Sequence, residues 1–143
     1  MPVGFVCGAA MLFRVENFAP VGFFDETFFL YYEDDDLCLR LFNAKLPMLL
    51  VPDVVAIHSS RGSVKGKVPL KSEYVRGYHH AQSKLIFENK HGTLKLALKQ
   101  RRRLLFSTTV ALFFRVLLLS PKRLARMWGR WRGLLDWEPA HGH

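Results

Sequence analysis

Short apolar runs separated by turn residues dominate the first sixty positions of the chain. Phe5–Phe13 is apolar and centred on Gly8-Ala9-Ala10, which predicts a strand that enters a close backbone approach. Met48–Val51 and Val54–His58 are two further apolar runs on either side of Pro52-Asp53. They predict two short strands joined by a turn.

Helical patterns lie between these runs and after them. A short helix is predicted near Val15–Ala19, and a longer one over Asp34–Lys45, which Pro47 ends. A long helix is predicted from Ser72 to about Lys90, with His91-Gly92 as its C-terminal cap. The polar loop before it carries three cations that could bind a diphosphate or a lipid phosphate, although a solvated basic loop is the favoured interpretation: Arg61, Lys65 and Lys67.

From Thr93 onward the chain becomes basic and apolar together. The segment 104–119 is mostly apolar, but its 16 residues fall short of the roughly 20 that span a bilayer, and Arg115 interrupts it. We therefore expect an interfacial helix. After Pro121 a second basic segment, Lys122–Leu135, carries Trp128 and Trp131, a residue type that prefers the headgroup level of a membrane.

The net charge of +9 divides unevenly along the 143 residues. Residues 1–60 hold 3 basic and 8 acidic side chains, a balance of −5, and residues 61–143 hold 18 and 4, a balance of +14. An apolar content of 50% excludes a largely disordered chain. The basic part indicates a polyanionic partner, and the apolar run within it favours an anionic membrane surface over nucleic acid.

The cysteines and the N-terminus point to a reducing compartment. Cys7 and Cys38 lack metal-ligand spacing, so we expect both to be reduced and buried. Met1–Gly4 has no basic n-region, which argues against a signal peptide. The predicted location is cytoplasmic.

Candidate chemistry is concentrated in four consecutive acids, Glu33-Asp34-Asp35-Asp36, which follow the aromatic run Phe28–Tyr32. Carboxyl groups beside an apolar wall and beside one another can have raised pKa values, and such a setting is usual for a general base or a cation site. An acidic helix start stabilised by the helix dipole is the alternative. Arg40 is four residues beyond Asp36, so it either pairs with that carboxylate or contacts substrate.

Several segments in this order and spacing carry a resemblance to a known family. They are Gly8–Arg14, Val21–Glu26, Phe29–Arg40, Val51-Pro52 and His58. Together they strongly resemble the second half of family-2 glycosyltransferases, and in particular the rhamnosyltransferase-like enzymes of bacterial cell-surface polysaccharide synthesis. The resemblance covers about residues 3–92.

The resemblance implies a GT-A fold, a mixed α/β sheet that binds a nucleotide sugar through a divalent metal such as Mn or Mg. It implies that His58, after the last strand, meets the metal or the diphosphate. The expected domain organisation is an acceptor-side half over residues 1–92, followed by a basic, amphipathic, membrane-associating helical tail over residues 93–143. The expected class is α/β, a partial mixed sheet with flanking helices.

The resemblance also assigns roles to the acidic segment. Asp34 would be the general base of an inverting transfer, with Glu33 as its neighbour. Asp36 and Arg40 would bind substrate, and Gly8-Ala9 would form a loop that passes close to the sugar. Inverting sugar transfer requires a base, because the acceptor hydroxyl must lose a proton as it attacks the anomeric carbon.

The nucleotide-binding half of such enzymes has no counterpart in this sequence. The resemblance therefore implies a C-terminal half that is inactive alone, with a separate N-terminal half as a potential partner. The expected substrates are a nucleotide sugar and a glycan or lipid-linked acceptor, at the inner face of the cell membrane. The alternative is a non-enzymatic, basic membrane-binding module derived from half of that fold.

Overall fold

The computed structural model describes residues 1–58, 68–116 and 120–139. These residues divide into two units: the first comprises residues 1–28 and 32–58, and the second comprises 29–31, 68–116 and 120–139. Three cations of the polar loop, Arg61, Lys65 and Lys67, were candidates for binding a diphosphate. They lie outside the described residues. The domain boundary predicted after residue 92 stays a prediction.

The first unit combines one α-helix with a very small sheet. Its elements are β1 (Pro2–Val3), a 3₁₀ helix (Val15–Phe18), α1 (Glu33–Asn43) and β2 (Met48–Leu49). The strands pair antiparallel, with Pro2 opposite Leu49 and Val3 opposite Met48. The predicted helices near residues 15–19 and 34–45 are thereby confirmed.

The sequence predicts a mixed sheet of several strands, whereas the described residues form a sheet of two strands. Phe5–Phe13 and Val54–His58 contain no strand, so both strand predictions are wrong, and the described chain is mostly helical. A strand needs a neighbour that satisfies its backbone N–H and C=O groups, and hydrophobic pattern alone does not supply one. The apolar side chains of the second segment are exposed instead, with Val55 at 86% and Ile57 at 97%.

The end of α1 is set by a hydrogen-bonded cap, which precedes Pro47. The Lys45 N–H donates to the Phe42 carbonyl and the Leu46 N–H donates to the Leu41 carbonyl, each at 3.0 Å. Lys45 adopts the left-handed φ of 58° that this Schellman arrangement needs. The chain therefore turns from α1 into β2 two residues earlier than the proline predicts.

The second unit is built from three helices, α2 (Pro69–His91), α3 (Leu94–Val116) and α4 (Pro121–Leu135). Gly92 caps α2 as predicted, and Pro121 begins α4. The core residues, all at most 2% exposed, come from these helices and from the second residue beyond α4: Ala81, Leu85, Ala97, Leu134 and Trp137. Across the described residues, no helix combines the length and the apolar character that crossing a membrane requires.

Three glycines allow α2 and α4 to approach backbone to backbone. A Cβ added at Gly77 would overlap the Arg126 carbonyl oxygen, and one added at Gly129 would overlap the Tyr74 carbonyl oxygen. Gly133, one turn beyond, faces the Tyr78 carbonyl in the same way. Because each neighbour is backbone, it cannot move aside without shifting a helix.

We predict that Gly129→Ala destabilises the protein, although alanine is the better helix former by about 1 kcal/mol. The overlap with the Tyr74 carbonyl outweighs this gain in helix propensity, because overpacking of this kind costs about 1–3 kcal/mol of the free energy of unfolding. Urea unfolding followed by far-ultraviolet circular dichroism measures the change. Gly4→Ala is the matched control, since nothing lies within 4 Å of its added methyl group. A Gly129→Ala protein as stable as the wild type would contradict the close approach.

Candidate functional site

All four acids of the run lie in the first turn of α1, as predicted. The chain enters this turn through two consecutive left-handed residues, Tyr31 at φ 69° and Tyr32 at φ 67°. Such conformations cost non-glycine residues free energy and persist where the surroundings hold them. The positive end of the helix dipole favours the carboxylates at this position, which offsets part of their mutual repulsion.

Asp34 is held by backbone donors on both carboxylate oxygens. Its Oδ2 accepts a hydrogen bond from the Gly8 N–H at 3.0 Å, and its Oδ1 accepts one from the Asp35 N–H at 3.0 Å. A Cβ added at Gly8 would lie 3.5 Å from the Asp34 Cβ, which is ordinary contact. Two predicted site residues, 26 positions apart, therefore meet, and Ala9 follows as an exposed residue.

Cys38 attaches the same segment to α1 one turn further on. Its Sγ lies 3.4 Å from both the N and the O of Val6, accepting from the one and donating to the other. Burial raises the pKa of the Cys38 thiol, and Asp34 and Asp35 raise it further, against the Val6 hydrogen bond that lowers it. The sequence predicts that Cys38 is buried, but this positioning role was not predicted. The i,i+4 spacing from Asp34 was the available signal.

Cys7, in contrast to the prediction, is exposed. It lies between Val6 and Gly8, which face α1 through their backbone groups, so its side chain is left on the outer side of the segment. Both cysteines are free, and Cys38 is buried as expected.

Glu33 occupies a different environment from its neighbour. Its side chain is half-buried, and its Oε2 atom is buried without a hydrogen-bond partner among the described residues. Burial raises the pKa of the Glu33 carboxyl above its ordinary value of 4.5; Asp34 and Asp35 raise it further, while a backbone hydrogen bond lowers it. Within the acidic run, the raised pKa that the sequence leads us to expect falls at Glu33.

Asp36 and Arg40 form the ion pair that the sequence left as an alternative to substrate contact. Asp36 is fully buried, and its Oδ2 lies 2.8 Å from the Arg40 Nη2 and accepts from its Nε at 2.9 Å. The guanidinium also donates to the carbonyls of Val21, Gly22 and Phe23. The pair thus fastens the 21–23 turn to α1. A substrate-binding role for these two residues stays a prediction.

The predicted metal ligand, His58, is exposed and lies in a segment without helix or strand. Over residues 1–58, 68–116 and 120–139, no three His, Cys, Asp or Glu side chains come together in a group that could hold a metal ion. These residues do not form a metal centre by themselves.

Comparison with known proteins finds that part of this chain is similar to two rhamnosyltransferases. The chain is 33% identical over 90 residues to N-acetylglucosaminyl-diphospho-decaprenol L-rhamnosyltransferase of Mycobacterium tuberculosis strain H37Rv, covering 63% of this chain and 28% of that protein. It is 45% identical over 56 residues to the rhamnosyltransferase WbbL of Escherichia coli strain K12, covering 39% of this chain and 21% of that protein. These similarities support a glycosyltransferase-like function.

The similarity is partial in extent. The chain spans less than a third of the length of these curated relatives. No family model and no solved structure matches it.

We predict that Asp36→Asn lowers the free energy of unfolding by about 3 kcal/mol or more. Removing one partner leaves the other charge uncompensated, and the 21–23 turn loses its anchor. Chemical denaturation at pH 7 measures the loss, and Glu26→Gln, an exposed carboxyl in the same unit, is the control. If both variants unfold at the wild-type midpoint, the pair does not organise this unit.

Proposed function

We propose that the chain is the acceptor-side half of an inverting glycosyltransferase, which moves a sugar from a nucleotide donor to a cell-surface polysaccharide or lipid-linked acceptor. The observation that carries the proposal is the contact of Asp34 with the Gly8 backbone at the start of α1. It joins the two sequence segments that resemble the family's acceptor motif and sugar-facing loop. The printed names of the relatives, both rhamnosyltransferases, support this substrate class.

Asp34 acts as the general base in this proposal. A carboxylate offers about four lone-pair sites, and two of those on Asp34 are occupied by backbone N–H groups. Those donors fix the orientation of the group while the other sites remain available. The acceptor O–H bond breaks, its proton passes to the carboxylate, and the acceptor oxygen bonds to the anomeric carbon as the bond to the nucleotide diphosphate breaks. The configuration inverts.

Glu33 supports the base as its neighbour. A carboxyl group with a raised pKa exchanges its proton closer to neutral pH than an ordinary glutamate does, and this is the property that general bases share. Glu33 is therefore the competing candidate for the base. Replacing each residue separately distinguishes the two assignments.

The donor site belongs to a second half in this proposal. Leu12, Val55 and Ile57 are each at least 86% exposed in the first unit, and a partner polypeptide that completes a GT-A sheet would cover such side chains. That half would bring the nucleotide-binding residues and most ligands of a divalent metal, which would stabilise the leaving diphosphate when bound. His58 would face the metal or the diphosphate. We therefore expect the isolated chain to be inactive.

The basic second unit would hold the enzyme at the inner face of the cell membrane, close to a lipid-linked acceptor. Its helices α3 and α4 contain no acidic residue, whereas they carry eleven Lys and Arg residues. The same property favours the alternative function, a non-enzymatic membrane-binding module. An assay of sugar transfer distinguishes the enzyme from the non-enzymatic module.

In a chain supplied with a nucleotide-binding half, we predict that Asp34→Asn lowers kcat for sugar transfer by 10²–10⁴-fold, because the amide cannot accept the proton. Glu33→Gln should lower it by less. Incorporation of labelled sugar into a lipid-linked acceptor measures the rate, and Asp53→Asn, an exposed aspartate of the same unit, is the matched control.

Unchanged transfer by Asp34→Asn would show that the base is assigned wrongly, and a larger loss in Glu33→Gln would move the assignment to Glu33. No transfer by any complemented form would favour the non-enzymatic module. Turnover of a nucleotide sugar by the purified 143-residue chain alone would contradict the need for a second half.

A further inference from the structure

A continuous stripe of exposed side chains runs along α3. Its members, which we call the outer stripe, lie within roughly a 120° arc of the helix. They are Lys95, Leu96, Lys99, Arg102, Arg103, Phe106, Val110, Phe113 and Phe114. All four cations lie in the N-terminal half, where Leu96 at 46% exposure is the single apolar member, and the C-terminal half is apolar, so the polarity of the stripe changes mainly along the helix axis.

The opposite side of α3 faces the core of the second unit. Ala97 is fully buried there and Thr108 is 1% exposed. Arg101 also points inward, since its guanidinium donates to the carbonyls of Leu134 and Leu135 at 2.7 and 2.8 Å. The outer stripe is therefore the side of α3 that other elements of the unit leave uncovered.

The apolar half of the outer stripe exposes large aromatic surface at helical spacing. Phe106 is 75% exposed, Phe113 72% and Phe114 59%. Single exposed apolar residues are common on protein surfaces, but three phenylalanines and Val110 on adjoining turns form a patch of the kind that marks an interaction site.

The charge of the surrounding sequence selects the partner. From residue 89 to residue 135 the chain has twelve Lys and Arg residues and no Asp or Glu. The basic half of the outer stripe continues directly into the phenylalanines. A surface that is cationic at one end and apolar at the other complements an anionic bilayer, which offers charged headgroups above hydrocarbon.

A tryptophan pair lies beside the apolar half of the stripe. The Trp131 Nε1–H donates to the Thr109 hydroxyl at 3.2 Å, between the levels of Phe106 and Phe113. Trp128 stacks on Trp131 with ring centroids 5.2 Å apart and is 50% exposed. Tryptophan prefers the boundary between headgroups and hydrocarbon, which fits a position beside side chains that enter that boundary.

We propose that the outer stripe binds an anionic lipid bilayer with α3 tilted, so that Phe106, Val110, Phe113 and Phe114 enter the hydrocarbon boundary while Lys95, Lys99, Arg102 and Arg103 contact headgroups. This insertion surface rests on the proposed membrane partner, but it is independent of sugar transfer. It differs from a helix that lies flat, because all the cations of the stripe lie in its N-terminal half and all its phenylalanines lie in its C-terminal half.

Co-sedimentation of the full chain with vesicles tests the surface without any sugar substrate. The wild type should bind vesicles of phosphatidylglycerol and phosphatidylcholine, and should bind pure phosphatidylcholine far more weakly. Each basic residue near an anionic leaflet contributes about fivefold in partitioning, so Arg102→Glu/Arg103→Glu should weaken binding about thirtyfold or more. The control Arg14→Glu/Lys45→Glu changes the net charge equally on exposed residues of the other unit and should bind nearly as the wild type does.

A second pair of variants tests the apolar half. Phe106→Ala/Phe113→Ala should weaken binding at least tenfold, whereas Phe42→Ala, which removes a phenylalanine that is 63% exposed on α1, should not. Brominated lipids should quench the tryptophan fluorescence of the wild type on binding.

The inference is overturned if the wild type fails to bind anionic vesicles, or if both stripe variants bind as tightly as their controls. Duplex DNA binding without vesicle binding would identify a nucleic-acid surface instead. Self-association that the phenylalanine variants abolish, with no vesicle binding, would identify a contact between two copies. Any of these results leaves the sugar-transfer test unaffected.

Discussion

Four carboxyl groups in one helical turn are the constraint around which the first unit is organised. Like charges this close repel one another, so each must be stabilised separately. Asp36 is buried against a guanidinium, Asp34 accepts two backbone hydrogen bonds, and Glu33 is partly withdrawn from water with a raised pKa. The environments differ although the residues are adjacent. Such divergence lets neighbouring carboxyl groups take separate roles in proton transfer.

The contacts that stabilise the acids also hold the surrounding chain. Asp34 and Cys38, one helical turn apart, fix the Val6–Gly8 segment on α1. Asp36, through Arg40, fixes the 21–23 turn. The candidate base and the loop beside it are therefore positioned by one helix, and the two-stranded sheet contributes only four residues. The basic second unit has its own core and its own exposed stripe, so the proposed chemistry and the surface proposed to meet lipid belong to different units.

Sequence reasoning predicted the helices well because their signals are local. The acids at the start of α1, Gly92 at the end of α2 and Pro121 at the start of α4 each act on their own turn. It predicted Phe5–Phe13 and Val54–His58 wrongly, since a strand depends on a partner that pattern cannot reveal. The family resemblance assigned Gly8 and Asp34 to one site, but the hydrogen bond between them was not predicted. The glycine contacts of α2 with α4, and the change of polarity along the outer stripe, required three-dimensional positions.

The central claim is that the first turn of α1 holds carboxyl groups in unlike environments, with the neutral form of Glu33 favoured by burial. Because burial makes Glu33 hold its proton more tightly in the folded chain, the protonated carboxyl favours folding. This contribution to the free energy of unfolding is fully present at a pH below the pKa of the unfolded chain, and it is lost as the pH rises through the folded pKa. A carbon-detected NMR titration of the side-chain carboxyl groups tests the claim most directly. The account predicts that the Glu33 carboxyl titrates with a pKa above 4.5. A Glu33 pKa at or below 4.5 would contradict it.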